Sequence, residues 1–381
     1  MPVPLRALLL ATSLLSPTLA SPALAHHPGG TGNSGGGGPV GTIPAETLEA
    51  GQVATFVQYE YIRLNPLSDQ TLIAAAGRHE HAHSLRSIES TAIGAAFGIT
   101  NDFSLSLRLP YVVRTDIREG AHSHDHGGVA HNTINARGDT AAFGDATLLG
   151  HWRFFDNPAS GTSFALLGGL KLPTGRTGLR DNAGEVFETE FQPGSGSTDV
   201  LAGLAGSQRF GAWSLHANAL YTFVNRGAQA TDLGDRFHYN AAVAYRLFGP
   251  QGPAPALAAG VPAAYAHAGH DHASPRRRPV RKGAAPEPEH VEPGTAETLA
   301  LDLVLEANGE WHDRQVVAGV TDPNSGGNVV YLSPGIRVSK AGGTGAGVSG
   351  FASVGIPVVN EVKGLQAKPS SRFVGGLVIA Y

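Results

Sequence analysis

The chain has 381 residues, with 51 glycines, 25 prolines, 17 histidines, one methionine and no cysteine. Its 27 basic and 31 acidic residues leave a formal net charge of −4, which points to no nucleic-acid partner. The absence of cysteine excludes thiolate-held metal centres and a cysteine nucleophile, and no run beyond the N-terminus reaches the ~18 apolar residues of a membrane helix.

Residues 1–25 read as a secretory signal peptide. Arg6 is its positive end, Ala7–Leu15 its apolar core and Ala23-Leu24-Ala25 a small-residue cleavage site. Residues 26–45, rich in glycine and opening on His26-His27, are expected to be a flexible leader. Residues 46–381 then form the folded body, with a Pro-rich, charge-blocked insert at 249–297 that is expected to be disordered.

From residue 53 onward the hydrophobic period is two. Phe103, Leu105, Leu107, Leu109, Tyr111 and Val113 share one parity, and Ser104, Ser106 and Arg108 the other. The pattern predicts twelve strands, at 53–63, 86–99, 103–113, 141–155, 162–172, 198–206, 212–224, 236–248, 298–310, 328–339, 347–358 and 373–381. Tight turns such as Asn101-Asp102 alternate with long loops at 64–85, 114–140, 173–197, 225–235, 311–327 and 359–372. Short turns at one end, long loops at the other and an even number of ~10-residue strands describe an all-β, transmembrane antiparallel barrel of the Gram-negative outer membrane. The alternative is a secreted β-sandwich, which would bury its apolar faces against each other. The last strand carries Phe373, Leu377, Ile379 and a terminal Tyr381 on one parity, as in the segment by which outer-membrane barrels engage their insertion machinery.

Several segments resemble an outer-membrane family named for the MetA pathway of phenol degradation. They are Leu170-Lys171-Leu172-Pro173-Thr174-Gly175, Gln192-Pro193-Gly194-Ser195-Gly196-Ser197-Thr198-Asp199, Leu332-Ser333-Pro334-Gly335 and Gly364-Leu365-Gln366. The resemblance implies an outer-membrane barrel with a transport role and brings no catalytic residues. The His-rich loops and the insert at 249–297 depart from the family pattern.

With the apolar parity toward lipid, Glu60, Arg108, Asp145, His151, Arg153, Lys171, His216, His238, Arg246, Asp302, Glu306 and Arg337 face the lumen. They serve either as ion pairs bracing the wall or as an electrostatic lining for a polar solute. The loop at 173–197, with Glu185, Glu188 and Glu190, is placed to form an acidic constriction. Histidines cluster off the wall. His79, His81 and His83 alternate, as do His122, His124 and His126 beside Asp125, while His267, His270 and His272 flank Asp271. Such spacing offers imidazoles to a divalent Zn, Ni, Co or Cu ion, although no cofactor is required. No Gly-x-Ser-x-Gly elbow sits between a strand and a helix, and no acid–base constellation points to an enzyme. The sequence therefore favours a channel or transporter-like barrel passing small solutes. A metal-handling barrel and a structural barrel with a plugged lumen are the alternatives.

Overall fold

The computed structural model describes residues 39–124, 130–249, 298–341 and 347–381. The expected signal peptide, most of the leader and the insert lie outside the described residues. Twelve strands form the wall. They are β1 Val53–Asn65, β2 Ser87–Thr100, β3 Phe103–His124, β4 Ala146–Asn157, β5 Thr162–Leu172 and β6 Asp199–Phe210. Then follow β7 Trp213–Phe223, β8 Arg236–Phe248, β9 Thr298–His312, β10 Gly327–Ala341, β11 Gly347–Val362 and β12 Lys368–Ala380. Each pairs antiparallel with its chain neighbours. β12 returns to β1 with Ala54 opposite Ala380, and Phe103–Arg108 of β3 pair with Thr147–Trp152 of β4. The sheet therefore closes, and the twelve-stranded antiparallel barrel read from the sequence is the fold. Closure pairs the strand edges without a disulfide.

The two parities take opposite faces as the alternation demands. Ile93, Leu107, Leu166, Leu204, Leu303, Ile336, Ile356 and Leu377 are exposed outward. Aromatic residues gather toward the two rims. Trp152, Phe154, Phe164, Phe210, Trp213 and Phe248 lie near the short-turn end, and Tyr111, Phe143 and Phe223 near the long-loop end. This is the girdle pattern of a membrane barrel. Glycine in the wall has a local use: a Cβ on Gly94 would stand 2.2 Å from the Phe56 ring and 2.5 Å from the Leu107 carbonyl oxygen. No helix among the described residues is long and apolar enough to cross a membrane.

Three regions differ from the sequence reading. Within 114–140, expected to be a loop, residues 114–124 extend β3 outward and residues 130–140 belong to an arm, Ala130–Phe143, paired with β3 from Tyr111 to His124. The loop at 64–85 contains a helix, α1 Asp69–Gly77, whose N-cap Ser68 hydroxyl accepts from the Thr71 amide at 3.2 Å. It buries Leu72, Ala75 and Ala76 against the arm side of the barrel mouth. Residues 39–45, the end of the expected flexible leader, are packed inside the barrel, because the wall supplies partners for their backbone.

Candidate functional site

The first component is a strap, residues 39–50, that crosses the barrel interior. Its backbone amides are taken one after another by polar wall side chains. Gly41 and Thr42 donate to the Glu306 carboxylate at 2.9 and 3.1 Å, Ile43 to Asn218 at 2.9 Å, Ala45 to Ser207 at 2.9 Å and Leu48 to Ser104 at 2.8 Å. The Pro39 carbonyl accepts from Arg337 at 2.8 Å. An extended segment crossing a lumen has no strand partner, so these inward side chains meet its hydrogen-bonding demand. Its apolar side chains find matching surfaces. Ile43 and Ala45 join Leu149, Leu167, Leu201 and Leu220, while Val40 and Leu48 join Phe56, Phe351 and Val378 on another part of the wall. Ser207, His216 and Glu46 lie together, with the Ser207 hydroxyl 2.9 Å from His216 Nδ1 and donating to Glu46 at 2.6 Å. That hydroxyl also accepts the Ala45 amide, so the trio holds the strap.

The second component is the lid, residues 173–197 between β5 and β6. Phe187 and Phe191 pack with Leu64, Leu85, Ile88, Ile117 and Ala367, which belong to elements around β1, β2, β3 and the β11–β12 connection. The loop thus spans the long-loop mouth. Its base is built from the family-like motifs. Lys171 Nζ reaches Asp145 at 2.9 Å and Asp199 at 2.8 Å and also meets the Ser195 hydroxyl. Asp145 accepts from the Gly175 and Ser195 amides, each at 2.9 Å. Gly175 and Gly194 meet backbone to backbone: a Cβ on Gly194 would lie 2.5 Å from the Gly175 carbonyl carbon. The Pro-Thr-Gly and Pro-Gly-Ser-Gly-Ser turns therefore need glycine where they cross.

Above the base, His83 meets the lid acids. Its Nδ1 lies 3.0 Å from Glu190, and its Nε2 lies 3.5 Å from both Glu119 and Glu188. Burial works to lower the His83 pKa, but the carboxylates of Glu188, Glu119 and Glu190 outweigh it and hold the imidazole well above its ordinary value. Burial, helped by repulsion from Glu190 and Glu119, raises the Glu188 carboxyl against the pull of His83. Arg137 adds a cation to this group, 2.9 Å from Glu119.

Between lid and strap lies a cavity of about 90 Å³, lined in part by Arg108, Pro110, Lys171, Leu201, Arg236 and His238. Leu201 also belongs to the apolar cluster that holds Ile43 and Ala45, which links this end of the cavity lining to the strap.

The other inward residues are distributed as follows. Glu60 pairs with Arg372 at 2.5 Å, Arg246 with Asp302 across adjacent strands, and Arg153 with Asp102 at 2.8 Å beside a short turn. His151 is fully buried. The histidine runs are not assembled as their spacing suggests. His79 sits in the turn after α1 with a left-handed φ of 57°, and only His83 of its run enters a strand. The imidazoles therefore do not line one side of an extended segment. His81 offers its carbonyl to Asn324, and the His79 ring meets His122 edge-on at 4.5 Å. The side chains of His124, Asp125 and His126, and all of His267, His270 and His272, lie outside the described residues. Sequence reasoning marked His83, Glu188 and Glu190 separately. No spacing signalled that they meet, since His83 lies far from the two lid acids in the chain.

No curated protein matches this chain. Among solved structures, an outer membrane channel from Pseudomonas putida F1 is 14% identical with a TM-score of 0.45, covering 88% of this chain and 98% of its own. The β domain of the Bordetella autotransporter BrkA is 11% identical with a TM-score of 0.39, covering 87% and 100%. A TodX monoaromatic hydrocarbon channel mutant is 8% identical with a TM-score of 0.37, covering 88% and 91%. These likenesses are too distant to carry an argument about this chain. The family match is more direct and spans the lid with both of its motif turns. Residues 81–265 of this outer-membrane-type barrel match the model of the family described as the putative MetA-pathway of phenol degradation.

Proposed function

We propose that this protein is an outer-membrane channel for small solutes whose path is narrowed by the lid outside and the strap inside. The observation that carries this reading is the cavity between the two, where buried charged side chains share the lining with apolar ones inside a wall with an apolar outer face. A scaffold needing only stability has no use for buried charge at such a position, because apolar packing of the same volume is as stable. Reconstitution in planar bilayers tests it. Discrete conductance steps are expected, small for a twelve-stranded wall; a bilayer that stays sealed across voltage and salt overturns the reading.

The cluster at the mouth favours a second reading, metal handling. Ligand atoms of His83, Glu188 and Glu190 all lie within 4.8 Å of one another. Gln315 is buried beside them, donating to Glu190 at 2.6 Å while its own Oε1 lacks a partner. One imidazole with carboxylates suits Zn²⁺ or a neighbouring transition ion. In calorimetry with Zn²⁺, His83→Ala is expected to weaken binding about tenfold or more, as loss of one ligand does. Joint replacement of His122, His124 and His126 by alanine should leave it unchanged. The reverse result would move the site to the second histidine run.

A further inference from the structure

We propose that the cavity between lid and strap binds small organic anions, with the Arg108 guanidinium receiving a carboxylate and the apolar lining receiving the body of the molecule. The proposal rests on the channel reading only in placing the cavity on the solute path. Arg108 is 9% exposed, and its Nε is buried without a hydrogen-bond partner. A desolvated guanidinium N–H without an acceptor is costly, so the site is incomplete until an anion supplies one. Of the nearby carboxylates, Asp145 and Asp199 are engaged by Lys171, while Glu60 pairs through one oxygen with Arg372 at 2.5 Å and its other oxygen makes no hydrogen bond to Arg108. A second guanidinium, Arg236, lines the same cavity and has Glu310 no closer than 3.9 Å.

The rest of the lining gives the class of ligand. Pro110, Val112, Leu201 and Leu233 present an apolar surface in the same cavity as the two guanidiniums. A small inorganic anion would leave that surface wet, and a neutral apolar molecule would leave the Arg108 Nε unpaired. A carboxylate on a compact hydrocarbon body satisfies both, and the planar guanidinium fork can take its two oxygens together.

Calorimetry on the purified protein in detergent, with benzoate and benzyl alcohol as probes, tests this. Benzoate is expected to bind about tenfold more tightly than the alcohol, the equivalent of one charge-assisted hydrogen bond. Arg108→Gln should abolish that preference and Arg108→Lys should keep part of it, with heat-modifiable migration confirming that each variant folds. Equal binding of the two probes, or an unchanged preference in Arg108→Gln, overturns the proposal. The measurement needs no conduction. A protein that prefers benzoate but leaves bilayers sealed refutes the channel and keeps this site; a conducting protein without the preference does the opposite.

Discussion

Deleting residues 39–48 is expected to raise single-channel conductance on the order of threefold or more, since a twelve-stranded wall encloses a wide lumen once it is cleared. The strap is the interior obstruction on the periplasmic side, and most of its polar wall contacts are side-chain-to-backbone hydrogen bonds, joined by the Glu46 carboxylate, which meets Ser207 and Arg209. Such bonds contribute about 0.5–1.5 kcal/mol apiece, so the strap is held firmly while the wall keeps its own ladder without it. Loss of the strap exposes Glu306, Asn218 and Ser207 to water, which hydrates the lumen. It also uncovers Leu149, Leu167 and Leu220, so some loss of thermal stability should accompany the gain in conductance. Single-channel recordings beside the parent protein check this. Equal conductance would mean that the lid alone limits flow.

The wall was legible because lipid and lumen impose opposite demands on successive residues. Phe103–Val113 carries that signal plainly. The outer part of β3 and its returning arm do not, because a strand beyond the bilayer has no apolar side to show. Ile117-Arg118-Glu119-Gly120 therefore reads as loop although it is paired. The strap was illegible for a related reason. Val40, Ile43 and Leu48 follow no period, and their partners are wall side chains scattered from β1 to β12. Leu149, Leu167, Leu201 and Leu220 were a faint signal, being apolar on the parity that faces inward, and they are the residues the strap covers. At the mouth, Glu188 and Glu190 stood out as charge in a Gly-rich loop. Their meeting with His83 depends on how the lid crosses the barrel, which local sequence does not encode.

Lys171→Met is expected to cost about 3–5 kcal/mol in the opening of the lid, the range for removing one partner of a buried charge cluster. The Asp145 and Asp199 side chains are only 6% and 2% exposed, and Lys171 is the cation between them. Methionine keeps much of the lysine stem and removes the charge, leaving two carboxylates with their amide and hydroxyl donors but without the cation between them. The wall ladder is untouched, so the damage should appear first as local opening rather than global unfolding. Limited proteolysis within 173–197 should accelerate before the thermal transition of the barrel moves. Arg86→Met provides the contrast, since Arg86 pairs with Asp116 at 2.9 Å but is 66% exposed. That surface pair contributes about 0–1 kcal/mol, and its loss should leave cleavage nearly unchanged. Adding Asp145→Asn to Lys171→Met should recover part of the loss, because it removes one of the two stranded charges. If Lys171→Met and Arg86→Met are cleaved at the same rate, the lysine is not what anchors the lid.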